Sequence, residues 1–78
     1  MYNQTIITDF IVQEFASGRN NISPTLSLLD NGIIDSIGLL RLMAFLESTF
    51  NISVDPGDVD ISNFETITSI CQFVKSKQ

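Results

Sequence analysis

Across residues 36–50, "SIGLLRLMAFLESTF", the apolar residues Leu39, Leu42, Met43, Leu46 and Phe50 recur at steps of three and four. A period near 3.6 lays these side chains along one continuous stripe only if the segment is an α-helix. The same spacing returns twice. Ile6, Ile7, Phe10, Ile11 and Phe15 place a helix over residues 3–17, with Gly18 as the residue that ends it. Ile67, Ile70, Cys71 and Val74 place another near the C-terminus, with Thr66 as its N-cap and Lys75 and Lys77 at the negative end of its dipole. In "NISVDPGDVD", Asp55 can cap and Pro56 suits a first helical position, which predicts a short helix over residues 56–61. No strand-like alternation longer than "NISV" competes. The pattern predicts an all-α, four-helix bundle with a long loop between helices 1 and 2 and a short third helix.

That loop, residues 18–35, reads "GRNNISPTLSLLDNGIID", punctuated by Gly, Asn, Ser and Pro with no sustained period. Its apolar residues Ile22, Leu26, Leu29, Ile33 and Ile34 can pin it across the bundle, and a helical turn near residues 27–30 fits the pattern. Loops this long in compact domains are usually functional or disordered, and the apolar anchors make disorder the weaker option here.

At 78 residues the chain is expected to be a single domain spanning 1–78, and a domain this small buries only about 60 to 65% of its unfolded surface. It has no room for an enclosed active site. Four Lys and Arg against nine Asp and Glu give a net charge of −5, which offers no basic footprint to nucleic acid or anionic lipid. The opening "MYNQTIITDF" lacks the charged-then-apolar pattern of a signal peptide, and no apolar run approaches the roughly 20 residues of a membrane span. A soluble cytoplasmic monomer without membrane insertion is the expectation. There is no histidine, so the commonest general base and metal ligand are both missing. The single cysteine, Cys71, cannot form an intrachain disulfide or a cysteine zinc site, and its place on the apolar stripe reads as a small buried hydrophobe. The chain is not expected to be an enzyme.

The chemistry concentrates at Asp35 and Ser36, where the long loop meets the second helix. Both residue types favour helix N-termini, because their side-chain oxygens accept bonds from the unpaired amides of the first turn. For an isolated Asp-Ser before an apolar run, capping is the ordinary explanation. A helix N-terminus also stabilises phosphate, so a serine hydroxyl there is well placed to carry a phosphodiester. On the outward side of the same helix lie Ile37, Arg41, Ala44 and Ser48, flanked by Leu40 and Glu47. Exposed Ile37 and Leu40 beside the serine would make an apolar spot suited to docking.

"LLDNGIIDSIGLL" at the serine, "FLESTFNISV" closing the second helix and "NFETITSICQFV" entering the last occur together in this order. In this arrangement nearly the whole chain resembles an acyl carrier protein. The resemblance implies a carrier domain whose Ser36 receives 4′-phosphopantetheine from coenzyme A. Asp35 matches the position that assists the phosphopantetheinyl transferase and its magnesium. It further implies acyl or aminoacyl groups held as thioesters on the arm, with an acyl or aminoacyl ligase and downstream acyl-processing enzymes as partners docking at Ile37, Leu40, Arg41, Ala44 and Glu47. Carriers of primary fatty acid synthesis resemble one another in a strongly acidic second helix, whereas here Glu47 is the only acid between Ser36 and Phe50. The departure points to a specialised free-standing carrier of a polyketide, nonribosomal peptide, aminoacyl-transfer or unusual lipid pathway. An apolar groove and an acid to meet Arg41 are expected on its partners.

Gly38 costs about 1 kcal/mol of helix propensity relative to Ala, relaxed in a first turn, and is open to two readings, close approach of the arm or a partner and neutral drift. The carboxylates Asp55, Asp58 and Asp60 lack the twelve-residue calcium pattern and read as a solvated acidic turn. The competing reading is an unmodified helical protein-interaction module in which Ser36 only caps the second helix.

Overall fold

In the computed structural model, which describes residues 2–15 and 22–78, the three apolar stripes become α1 (Tyr2–Phe15), α2 (Ser36–Phe50) and α4 (Ile67–Lys77), with a short α3 (Ile61–Phe64) before the last. The described residues contain no strand. The proposed terminator Gly18 and the end of the first helix at Ser17 lie outside the described residues. On α1, Ile7 and Ile11 are fully buried and Phe10, Val12 and Phe15 half-buried, but Ile6 keeps 36% of its exposure and sits at the edge of the stripe. On α2 the predicted face is the inner one, with Leu42, Met43 and Leu46 buried and Leu39 and Phe50 packed beside them.

The seam between α1 and α2 is antiparallel and built from side chains. Phe15 meets Gly38 at one end, Glu14 pairs with Arg41 next to it, and the rings of Phe10 and Phe45 stack with centroids 3.9 Å apart. Phe15 also meets Phe10 edge-on at 5.7 Å, so three aromatic rings fill the space between the helices.

The loop entering α2 is tightly organised. Residues 28–32 make a helical turn that ends at Gly32, whose φ of 68° lies where a residue with Cβ is disfavoured. The Gly32 amide donates to the Leu29 carbonyl and the Ile33 amide to that of Leu28, which is the Schellman pair that closes a helical turn. Leu28 is the centre of the loop: its side chain is fully buried and its carbonyl also accepts from the Ile34 amide. Its own amide donates to the Glu65 carbonyl at 2.8 Å, and Thr68 donates from both amide and hydroxyl to the Pro24 carbonyl at 3.1 Å. The expected anchors Ile22, Ile33 and Ile34 are buried, with Leu26 and Leu29 half-buried against the core.

The short helix expected over residues 56–61 is displaced. Pro56–Asp58 form only a single 3₁₀ turn, and the third helix starts at Ile61. Asp60 is the reason: it adopts an extended backbone and its carboxylate accepts from the Ser62 amide at 3.1 Å, making it the N-cap of α3. Asp58 supports the break through its carbonyl, which accepts from the Asn63 side chain at 2.9 Å.

Thr66 caps α4 as predicted, its hydroxyl accepting from the Ser69 amide at 3.0 Å. Ile67, Ile70, Phe73 and Val74 point inward, and Phe73 meets the fully buried Phe64 of α3 at 5.2 Å. Cys71, expected to be buried, is only half-buried against this core, at the edge of the α4 stripe, and burial raises its thiol above the ordinary range. At the far end of α4, Lys77 reaches Asp58 at 2.6 Å and Asp55 at 3.3 Å and so holds the helix to the 3₁₀ turn. Among the described residues no helix is long and apolar enough to cross a membrane.

Candidate functional site

Asp35 fixes where the site begins. With an extended backbone it accepts the Gly38 amide on Oδ1 at 2.7 Å, while its carbonyl takes the Leu39 amide at 2.8 Å as the first bond of the helical ladder. Asp35 is therefore the N-cap and Ser36 the first helical residue, with both side chains exposed. The amides of Ser36 and Ile37 precede that first ladder bond and have no partner among the described residues, at the positive end of the helix dipole. The loop holds this corner through its backbone, since Ile34, next to Asp35, bonds to Leu28, and Leu28 in turn bonds to the α3–α4 junction at Glu65. A serine hydroxyl at an exposed, anion-favouring helix N-terminus can accept a phosphoryl group.

Gly38 belongs to the support of this corner. It is buried, and a Cβ built there would sit 2.9 Å from Phe15 Cε1 and 3.2 Å from Asp35 Oδ1. The glycine lets the end of α1 pack under the first turn of α2, a demand set by another element. Neither partner approach nor neutral drift is needed to explain it.

The outward residues fall where the helical wheel puts them. Ile37 and Leu40 are 70% and 63% exposed, and Arg41, Ala44 and Glu47 are exposed as well. Two of the charges have partners within the chain. The Arg41 guanidinium donates to Glu14 at 2.7 Å, and Glu47 Oε2 accepts the Val54 amide at 2.9 Å, tying the end of α2 to the segment after it. Between α2 and that segment runs an open groove of about 430 Å³, walled by Leu40, Met43, Ala44 and Glu47 on one side and Val54, Pro56 and Val59 on the other. Val54, Pro56 and Val59 were missed in the sequence, because only the path of the chain after Phe50 brings them opposite α2. A second cleft, lined by Gln4, Thr5, Thr8 and Asp9 of α1, contains none of the residues singled out by sequence. No group of three or more potential metal ligands comes together among the described residues.

Among the described residues the fold is all-helical, with an exposed serine at the head of its second helix. Residues 9–74 match the family profile described as "Phosphopantetheine attachment site", and the chain belongs to that family. It is similar to proteins named "D-alanyl carrier protein" from Streptococcus pyogenes serotype M5 (strain Manfredo), serotype M49 (strain NZ131) and serotype M1. Each is 41% identical over 51 residues, which cover 65% of this chain and 65% of the relative. The match thus spans just under two thirds of the length of these relatives. The group that the family carries is covalently attached 4′-phosphopantetheine. The observed corner is compatible with it: a serine exposed at the first helical position, with first-turn amides at the positive end of the helix dipole.

Proposed function

We propose that Ser36 is the attachment point of 4′-phosphopantetheine and that the cargo is an aminoacyl group. The observation that carries this is the placement of the Ser36 hydroxyl, exposed at the first helical position beside a side-chain cap that orders the turn. Ser36 Oγ attacks the pantetheine-side phosphorus of coenzyme A, the phosphoanhydride bond breaks, adenosine 3′,5′-bisphosphate leaves, and the hydroxyl proton passes to the transferase. Asp35, already committed through Oδ1 to the Gly38 amide, keeps its second oxygen free toward the transferase and its magnesium. When bound, the arm supplies a terminal thiol that holds cargo as a thioester. Ile37, Leu40 and Ala44 form the exposed apolar face on which a ligase and the enzyme that receives the cargo would dock, with Arg41 and Glu47 at its borders.

Two features support an aminoacyl cargo over a fatty acyl one: the similarity to D-alanyl carrier proteins, and an α2 surface with a single acid where the housekeeping fatty acid carriers are strongly acidic. A cytoplasmic monomer served by soluble enzymes is consistent with both.

The test is intact mass before and after incubation with coenzyme A, magnesium and a broad-specificity phosphopantetheinyl transferase. The wild-type protein gains one phosphopantetheine and Ser36→Ala gains none. A folded wild-type protein that stays unmodified while a control carrier is loaded would return Ser36 to the role of a helix cap in an interaction module.

A further inference from the structure

Ser36 and Glu47 are eleven residues apart on one straight helix, which is three turns to within about 20°, so both lie on the same face. Leu40 and Met43 lie between them on that face, and all three line the groove against Val54 and Val59. Glu47 is the only acid of α2 and, among the described residues, the only charged one lining this otherwise apolar groove. The path from Ser36 to Glu47 along the helix is about 16 Å at 1.5 Å per residue. A phosphopantetheine arm has about fourteen bonds from serine oxygen to sulfur, the length of fewer than five peptide residues, and extends to about the same 16 Å.

The geometry points to Glu47 as the residue that selects the cargo: with the arm lying along the α2 groove, its carboxylate pairs with the α-ammonium of an aminoacyl thioester. This rests on the carrier reading and on the aminoacyl cargo given above, and it adds the residue that recognises that cargo. The apolar walls flank the thioester end of the arm, and Glu47, one oxygen of which already accepts the Val54 amide, has its other oxygen for the ammonium. An uncharged acyl group of the same shape gains nothing from Glu47, so the groove discriminates by charge at its far end. A docking enzyme that covers Leu40 and Ala44 would displace the cargo from the groove toward its own active site.

The experiment loads the apo protein, through the transferase, from D-alanyl-coenzyme A and from isobutyryl-coenzyme A, in which a methyl replaces the ammonium. Loading is confirmed by intact mass, and amide nitrogen–proton spectra are recorded at about pH 6.5, below the ordinary α-amino pKa of about 7.7–8.0. The D-alanyl form should differ from the isobutyryl form at Leu40, Ala44, Val54 and Val59, with Val54 most affected because its N–H is bonded to Glu47. Glu47→Gln keeps an oxygen for the Val54 amide and should erase that difference. In the wild-type protein the cargo ammonium should hold its proton roughly 1.5- to 5-fold more tightly than in Glu47→Gln, the range of an exposed pair. Coincident groove signals in the two loaded forms, or a difference that survives Glu47→Gln, would overturn the inference and leave the groove to a docked enzyme. Failure of both loadings would instead overturn the carrier reading beneath it.

Discussion

Gly38 shows how a single residue can be constrained from two directions. In isolation, replacing it by alanine would gain about 1 kcal/mol of helix propensity. In the fold the added methyl meets Phe15 Cε1 at 2.9 Å and crowds the cap oxygen of Asp35, and overpacking of this kind costs about 1–3 kcal/mol. The crowding should win. Gly38→Ala is expected to lower the thermal midpoint by several degrees, at about 4–8 °C per kcal/mol for a domain of this size. Gly38→Ala with Phe15→Leu should recover part of the loss, since the shorter side chain withdraws the clashing atom. A midpoint above wild type for the single variant would show that propensity dominates. The Asp35–Ser36 corner was legible in the sequence because capping is local chemistry written in adjacent residues. The reason for Gly38 was not, because it is held by the ring of Phe15, more than twenty positions away.

At the scale of the element, the loop before α2 does the work of a helix without being one. Its anchors were legible as apolar residues in a polar stretch, yet the sequence singled out Leu29 and passed over Leu28, which is the fully buried one. Two adjacent leucines in an aperiodic segment give no phase to choose between them. The Schellman turn at Gly32 makes the choice by pointing Leu28 inward. Leu28→Ala should cost about 2–5 kcal/mol, as other buried leucine truncations do. Part of the loss should appear as faster amide exchange at Ile33 and Ile34, whose partner is the Leu28 carbonyl, ahead of exchange in α4. A loss below about 1 kcal/mol would mean that the backbone bonds to Glu65 and Pro24 hold the loop unaided. The third helix was misplaced for a related reason. Asp55 caps as expected with Pro56 after it, but it opens only the 3₁₀ turn, and the tertiary path of the chain starts α3 at a second cap, Asp60.

Over the whole molecule the three long helices and their order were legible because each carries its own apolar period, whereas the bounds of the short third helix and the links between distant segments were not. Lys77 is the clearest link. Sequence placed it at the end of the last helix to complement the dipole, but it also ties α4 to Asp58 and Asp55 at the 3₁₀ turn, whose Pro56 forms part of the groove wall. The hydrogen bond from Lys77, reinforced by the Asp55 amide, holds the Asp58 carboxyl below the ordinary aspartate range, and Asp58 in turn raises Lys77. A depressed acid contributes stability that is fully present above its unfolded pKa, about 3.9, and is lost as pH falls through the lower folded value. A raised lysine contributes below its own unfolded pKa, about 10.4, and the contribution is lost as pH rises through the higher folded value. The tie should therefore stabilise the domain across the whole neutral range. Thermal midpoints of wild type and Asp58→Asn, measured in low salt, should differ by a small constant margin near neutrality that closes below about pH 3.9. A margin that stayed open in acid would assign the effect of Asp58→Asn to lost polar contacts, such as the Asp55 amide bond, and not to the ion pair.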